Sequence, residues 1–225
     1  MRRTRAAVAR RLAFGFAVLV FAWTALAPSP LSARHSERLP ATLRPHAPEL
    51  LALEPLLDAA SGFDDGGKLL AVNRFFNERI RFREDLEAWG ESDHWSSPLQ
   101  TMARGEGDCE DFAIAKYFSL LALGVPRSQL RLVYVQARAA NGADSPQPHM
   151  VLAHYASPGA DPSILDSLVA TVLPAAQRAD LTPVFSFNGD GMWLGLGAQS
   201  AGDPRERLAR WREVLAQARR EGLAS

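Results

Sequence analysis

The spacing of apolar residues changes near Pro126, from the period of helices to that of strands. Before this proline, apolar residues recur at helical spacing over 68–80, which predicts a helix with one apolar stripe. The stripe consists of Leu69, Val72, Phe76 and Ile80. A largely apolar run over 112–123 predicts a second helix, which ends at Gly124. The first half of the chain is therefore predicted to be mainly helical.

Three other segments of this half carry weaker local signals. The Ser-Pro pair at 97–98 is typical of a helix start, and Gly105 marks the end of that short helix. Residues 49–60 are apolar enough to pack on the domain, although Pro55 is expected to prevent one continuous helix. Residues 81–95 hold two tryptophans in a loop-like stretch. They fit a lid packed on the core and the wall of a cleft equally well.

The second half alternates short apolar segments with turns. Segments rich in β-branched and aromatic residues predict strands over 130–137, 149–155, 164–166, 182–188 and 192–196, with 169–174 as a candidate extension. The last two strands are expected to form a hairpin about 188–191. A closing helix is predicted after Asp203, its N-cap, with Glu206 completing a capping box. Its buried face is predicted to be Leu208, Trp211, Leu215 and Ala218. Helices packed on an antiparallel sheet, with a closing C-terminal helix, define an α+β domain.

The N-terminus has the layout of a secretory signal peptide. Arginines within residues 2–11 precede an apolar run over 12–27, and cleavage is expected after Ala27 or Ala33. The apolar run is slightly short for a transmembrane helix, so an uncleaved anchor is the weaker interpretation. The chain is therefore divided into a signal peptide (1–33), a linker (34–48) and one domain (49–225).

Export changes the charge of the protein. The whole chain has 25 basic and 25 acidic residues, and residues 1–33 contain five of the basic residues and none of the acidic ones. The mature chain therefore has 20 basic and 25 acidic residues, a formal charge of −5. This acidic balance disfavours nucleic acid as a partner.

Cys109 is the only cysteine in the chain, and it follows the glycine-rich 105–107 at the start of the second predicted helix. The positive end of a helix dipole lowers a thiol pKa and favours the nucleophilic thiolate. Asp108, Glu110 and Asp111 crowd the same turn, and their charges should raise that pKa. A bound cation would remove this conflict, and hard carboxylate oxygens favour calcium. The plain alternatives are a buried structural cysteine and a solvated acidic helix start.

A thiol nucleophile needs a base, and His149 is the best candidate among the five histidines. It opens a predicted strand beside a loop, where its side chain can reach a helix terminus. His154 lies an odd number of positions further along and so faces the other side of the sheet. Asp166 ends the next strand and is a candidate cross-strand neighbour that would fix the tautomer of His149. The structural alternatives are a satisfied histidine and an aspartate that begins a turn.

These residues carry a resemblance to a known family. The segments 107–117, 149–152 and 165–166 closely resemble the bacterial transglutaminase-like cysteine proteinases. The likeness extends in order over nearly all of the chain from Lys68 to Leu196. It implies a papain-like, transglutaminase-like core in which Cys109 is the nucleophile, His149 the base and Asp166 the orienting acid. It also implies calcium ligands, which are Asp108, Glu110 and, as a weaker match, Asp111.

The resemblance further implies a calcium-dependent periplasmic cysteine endopeptidase. Proteins of this family cut a large cell-surface adhesin near its N-terminal retention module, typically at paired alanines. Release of the adhesin promotes biofilm dispersal, and an inner-membrane receptor for cyclic di-GMP sequesters the protease. No small-molecule cofactor is expected. Two alternatives stay open, which are acyl transfer as in true transglutaminases and a catalytically silent calcium-binding module that docks a receptor.

Overall fold

A computed structural model describes residues 53–138, 145–221 and 223. The predicted signal peptide and linker lie outside the described residues, so the proposed division of the chain stays a prediction. Within the described part, no helix combines the length and the apolar character that crossing a membrane requires.

Five helices precede the main sheet in the described residues. Each of the predicted helices is present, with ends set by local capping. Asp64 begins the second helix by accepting from the Gly67 N–H at 2.8 Å. Ser97 and Gln100 form a capping box, and Gly105 ends that helix with a φ of 68°. The helices are α1 (Leu53–Ala60), α2 (Asp65–Arg79), α3 (Asp85–Ala88), α4 (Pro98–Arg104) and α5 (Cys109–Ala122).

Helix α1 differs from the expectation about Pro55. The helix is continuous from Leu53 to Ala60, because Pro55 lies in its first turn. There a backbone N–H has no intrahelical acceptor, so a proline removes no hydrogen bond. The prediction that Pro55 interrupts this segment was wrong for its described part.

Among the described residues, the main sheet has seven strands and is antiparallel throughout. The predicted strands and the hairpin are confirmed, and 173–174 extends the sheet as expected. A separate pair of two-residue strands, β1 (Arg81–Phe82) and β2 (Glu106–Gly107), is parallel and was not predicted. The strands of the sheet are β3 (Leu130–Ala137), β4 (Gln147–His154), β5 (Ser163–Leu165), β6 (Leu173–Pro174), β7 (Leu181–Phe187), β8 (Met192–Leu194) and β9 (Ser200–Gly202). Their spatial order is β6-β5-β4-β3-β7-β8-β9.

The core lies between the helices and one face of the sheet. Helix α5 is buried along most of its length and packs against the β4 face that carries Met150 and Leu152. A smaller apolar cluster on the opposite face includes Val135 and Val151. The predicted α+β architecture is confirmed.

The closing helix is divided at Leu208, where a single helix was predicted. The backbone there is extended (φ −118°, ψ 93°), so α6 (Pro204–Arg207) ends and α7 (Ala209–Arg220) begins. The Asp203 carboxylate accepts from the Arg205 N–H at 2.8 Å. The restart turns one face of α7 into the core and leaves Leu208 only half-buried. The buried residues of α7 are Trp211, Val214, Leu215 and Ala218.

Candidate active site

Cys109 is the first residue of α5, and the chain reaches it through a tightly constrained turn. Asp108 is the extended N-cap residue, and the N–H of Cys109 has no acceptor within the helix. A Cβ on Gly107 would lie 2.5 Å from Asp111 Oδ2, so only glycine fits there without displacing that side chain. The glycine therefore lets the backbone pass close to the first turn of the helix.

His149 and Asp166 form a buried pair on neighbouring strands. His149 Nε2 lies 2.8 Å from Asp166 Oδ1, and the antiparallel pairing of β4 with β5 brings the two residues together. Burial alone would raise the pKa of Asp166. Hydrogen bonds from His149, from the Leu168 N–H and from Arg178 instead lower that pKa to about 2. The carboxylate is therefore ionised and oriented, and the predicted pairing of the two side chains is confirmed.

Cys109 and His149 line one open cleft of about 580 Å³. His149 lies on the β4 face of Val151, opposite the face that α5 covers. The thiol stands at the tip of the helix, so both side chains reach the cleft at the end of the sheet. The described residues contain no hydrogen bond between them, and Cys109 Sγ donates instead to Glu110 Oε2 at 3.0 Å. The structure thus brings the predicted nucleophile and base to the same cleft.

Besides burial, the acidic side chains around Cys109 raise the pKa of its thiol, as the sequence predicted. Burial raises the pKa of Cys109, and the charge of Glu110, its hydrogen bond to the thiol and the charge of Asp108 raise it further. The backbone of Met150 has the opposite effect and lowers this pKa. Without a cation at the acidic turn, the neutral thiol is therefore favoured.

The acidic turn is larger than the sequence indicated. Ligand atoms of Asp85, Asp108 and Asp111 lie within 4.8 Å of one another, as do those of Asp85, Asp93 and Glu110. Burial and the neighbouring carboxylates raise the pKa of Asp108 to about 10. Burial raises the pKa of Asp111 to about 8 although the Ser96 N–H donates to it at 2.7 Å.

The residues of this cluster fit a hard divalent cation. Asp85 Oδ1, Asp108 Oδ1 and Asp111 Oδ2 are buried without a hydrogen-bond partner in the described structure. Such oxygens are costly to bury unpaired, and calcium prefers several carboxylate ligands. The donor set therefore matches the cation that was expected from Asp108, Glu110 and Asp111.

Asp85 and Asp93 were missed as candidate ligands. They come from the segment 81–95, which was predicted to be loop-like but contains β1 and α3. Asp85 begins α3, and the path of the segment depends on aromatic packing. The Trp89 ring stacks on His94 with centroids 4.0 Å apart, and the Arg104 guanidinium lies 4.1 Å from the same ring. Trp95 stacks on a core phenylalanine, and neither tryptophan lines the cleft. The only signal in the sequence was that Asp85 and Asp93 lie close to these aromatic residues, among several other acids of the segment.

A thiol at a helix start, facing a buried histidine–carboxylate pair across a cleft, defines the class of papain-like and transglutaminase-like cysteine enzymes. Comparison with known proteins gives the family within this class. The family model described as "Bacterial transglutaminase-like cysteine proteinase BTLCP" matches residues 60–181. The chain belongs to this family of cysteine proteinases.

Solved structures agree with this assignment. LapG of Legionella pneumophila in an EGTA-treated form is 36% identical, with a TM-score of 0.69 over 83% of this chain and 95% of that one. Its calcium-bound form is 35% identical, with a TM-score of 0.68 over 83% and 97% of the two chains. The fold is therefore transglutaminase-like, as predicted. No curated protein sequence gives a significant match.

Proposed function

We propose that this chain is a calcium-dependent cysteine endopeptidase with Cys109 as nucleophile, His149 as general base and Asp166 as the residue that orients the imidazole. The observation that carries the proposal is the cleft that Cys109 shares with His149, whose Nε2 lies 2.8 Å from the buried Asp166 carboxylate. Membership of a cysteine proteinase family supports the choice of reaction.

The proposed reaction follows from the tautomer of His149. Its Nε2–H donates to Asp166, which leaves Nδ1 as the base. Nδ1 takes the thiol proton, and the thiolate attacks the carbonyl carbon of the scissile peptide bond. The N–H of Cys109 is available to stabilise the oxyanion.

The tetrahedral intermediate then collapses to a thioester. The peptide C–N bond breaks, and the leaving amine takes the proton from the His149 imidazolium. A water molecule loses a proton to His149 and attacks the thioester, which releases the carboxylic acid and restores the Cys109 thiol. Each proton removed is thus returned within the cycle.

The acidic cluster supports calcium dependence. The residues that would hold the ion are Asp108, Glu110 and Asp111, together with Asp85 and Asp93. Calcium, when bound there, would supply positive charge that offsets these carboxylates and would compete for the Glu110 oxygen that now accepts from the thiol. Glu110 otherwise keeps the thiol proton away from His149.

The family resemblance extends the proposal to a biological substrate. We propose that the protein acts in the periplasm on the N-terminal region of a large cell-surface adhesin, whose release promotes biofilm dispersal. An inner-membrane receptor for cyclic di-GMP is the proposed inhibitor. The predicted signal peptide supports the compartment.

The test is product analysis with a protein substrate. The exported protein and its Cys109→Ala variant are incubated, with calcium or EGTA, with the N-terminal fragment of a giant repeat protein encoded nearby. We expect two fragments, cut at paired alanines, only with wild type and calcium. Cross-linked products would indicate acyl transfer instead. An intact substrate that still binds the protein would indicate a docking module.

A further inference from the structure

Asp166 has a second charged partner besides His149. Arg178 follows a short 3₁₀ turn (Ala175–Gln177), and its side chain is 5% exposed. Its Nη2 donates to Asp166 Oδ2 at 2.7 Å. The other oxygen, Oδ1, accepts from His149 and from the Leu168 N–H at 2.9 Å. Both oxygens of the carboxylate are therefore fixed by donors.

Arg178 is itself held in place by Asp180. Its Nε donates to Asp180 Oδ1 at 2.9 Å, and its Nη2 donates to Asp180 Oδ2 at 2.7 Å. The Asp180 side chain is 41% exposed, and both residues line the cleft that contains Cys109. The guanidinium thus connects a buried carboxylate to a solvated one, in the fixed planar geometry that a lysine cannot reproduce.

We propose that Arg178, held by Asp180, is a positioning residue that locks the Asp166 carboxylate so that His149 keeps Nδ1 free toward the cleft. This inference rests on the proposed peptidase function. Without the guanidinium, Asp166 Oδ2 would be a buried anionic acceptor without a partner, and the carboxylate would be free to rotate. His149 would then lose the single acceptor geometry that selects its tautomer.

The other charged groups around Asp166 do not replace this role. Burial lowers the pKa of Lys116, on α5, and the charge of Asp166 acts against this, but Lys116 Nζ makes no hydrogen bond in the described structure. His149 reaches Asp166 from β4 and is the group to be oriented. Arg178 is therefore the cationic side chain, other than His149, that fixes the orientation of this carboxylate by a hydrogen bond.

The experiment compares Arg178→Met and Arg178→Lys with wild type. The control is Arg127→Met, which removes an exposed 3.1 Å ion pair with Asp190. Arg127 does not line the cleft. Kinetics on a paired-alanine peptide give kcat and KM, and ¹⁵N NMR at fixed pH gives the tautomer of His149. We expect Arg178→Met to lower kcat by about ten- to a hundredfold with KM little changed.

The same variant should show mixed tautomers, and Arg178→Lys should recover only part of the rate. The control should keep the wild-type tautomer and kcat. Arg178→Met with both wild-type values, even if less stable, would overturn the proposal. If Arg178→Met does not fold, Asp180→Ala tests the same point, since it removes both oxygens that hold the guanidinium and buries no new polar group. Asp180→Ala with a wild-type tautomer and kcat would then overturn the proposal.

Failure of the proposed function would look different. A wild-type protein that hydrolyses no peptide would contradict the peptidase assignment. The tautomer comparison between wild type and Arg178→Met would still decide the positioning role, because it requires no turnover.

Discussion

Replacing Lys116 with methionine should stabilise the protein. Lys116 lies on α5 and is 0% exposed, and its Nζ has no hydrogen-bond partner among the described residues. The Phe112 ring centroid lies 5.6 Å from this nitrogen. Burial lowers the pKa of Lys116 to about 7, against an opposing effect of the Asp166 charge. The ammonium is therefore held in an unfavourable environment.

The free-energy cost of burying the Lys116 ammonium follows from its pKa in the folded protein and in the unfolded chain. Between pH 7 and 10.5 the folded protein binds fewer protons at Lys116 than the unfolded chain, so stability rises with pH over this window. The difference between 10.5 and about 7 corresponds to about 5 kcal/mol. Relaxation and water entry reduce such penalties, so we expect methionine to add about 1–4 kcal/mol at pH 7. Asp166 keeps His149 and Arg178 as partners.

Urea unfolding at several pH values between 7 and 10 measures this effect. The gain for Lys116→Met over wild type should be largest at pH 7 and should shrink toward pH 10. Lys68→Met is the matched control, because Lys68 is the other lysine of the chain and pairs with Asp65 near the surface. A variant less stable than wild type at pH 7, or a difference that does not change with pH, would refute the reasoning.

Three further predictions concern the acidic turn and the core. Gly107→Ala should displace Asp111 and so weaken the stabilisation of the protein by calcium. With an intact site, this stabilisation reaches about 2.7 kcal/mol when the calcium concentration is a hundred times Kd. Gly62→Ala, with no atom within 4 Å of the new Cβ, should leave that stabilisation unchanged, and thermal unfolding with calcium or EGTA compares the two. Asp111→Asn should keep the hydrogen bond from the Ser96 N–H and the stability of the calcium-free protein. It should lose much of the increase in Tm that calcium causes, and an increase equal to that of wild type would rule out Asp111 as a ligand. Asn188 is buried, and its replacement by alanine removes hydrogen bonds to two carbonyls and two N–H groups. Urea unfolding should therefore show a loss of about 2–4 kcal/mol, and an unchanged midpoint would contradict this.

The elements with strong periodicity were predictable from local sequence. The stripe that begins at Leu69 and the alternation in β3 reflect burial of one face, which any fold of these segments must satisfy. The small strands β1 and β2 carry no such signal, because Arg81 and Glu106 pair across distant parts of the chain. The break at Leu208 likewise depends on how α7 meets the core.

The residues of the candidate site also differ in how far the sequence predicted them. The proximity of His149 and Asp166 was predictable because they lie on or directly after neighbouring antiparallel strands, β4 and β5. Asp85 and Arg178 were not, because Asp85 begins the short helix α3 and Arg178 follows a short 3₁₀ turn, and tertiary packing sets the positions of both. Local sequence was therefore sufficient to predict the candidate reacting groups, whereas the groups that surround them required the structure.

Reaction of Cys109 with a peptidyl fluoromethyl ketone ending in two alanines tests the central claim most directly. Intact mass and peptide mapping follow the reaction in wild type, Cys109→Ala and His149→Ala, each with calcium. The account predicts one adduct on Cys109 of the wild type, none in Cys109→Ala, and a rate at least about a hundredfold lower in His149→Ala. Labelling of His149→Ala at the wild-type rate, or an adduct on another residue, would contradict it.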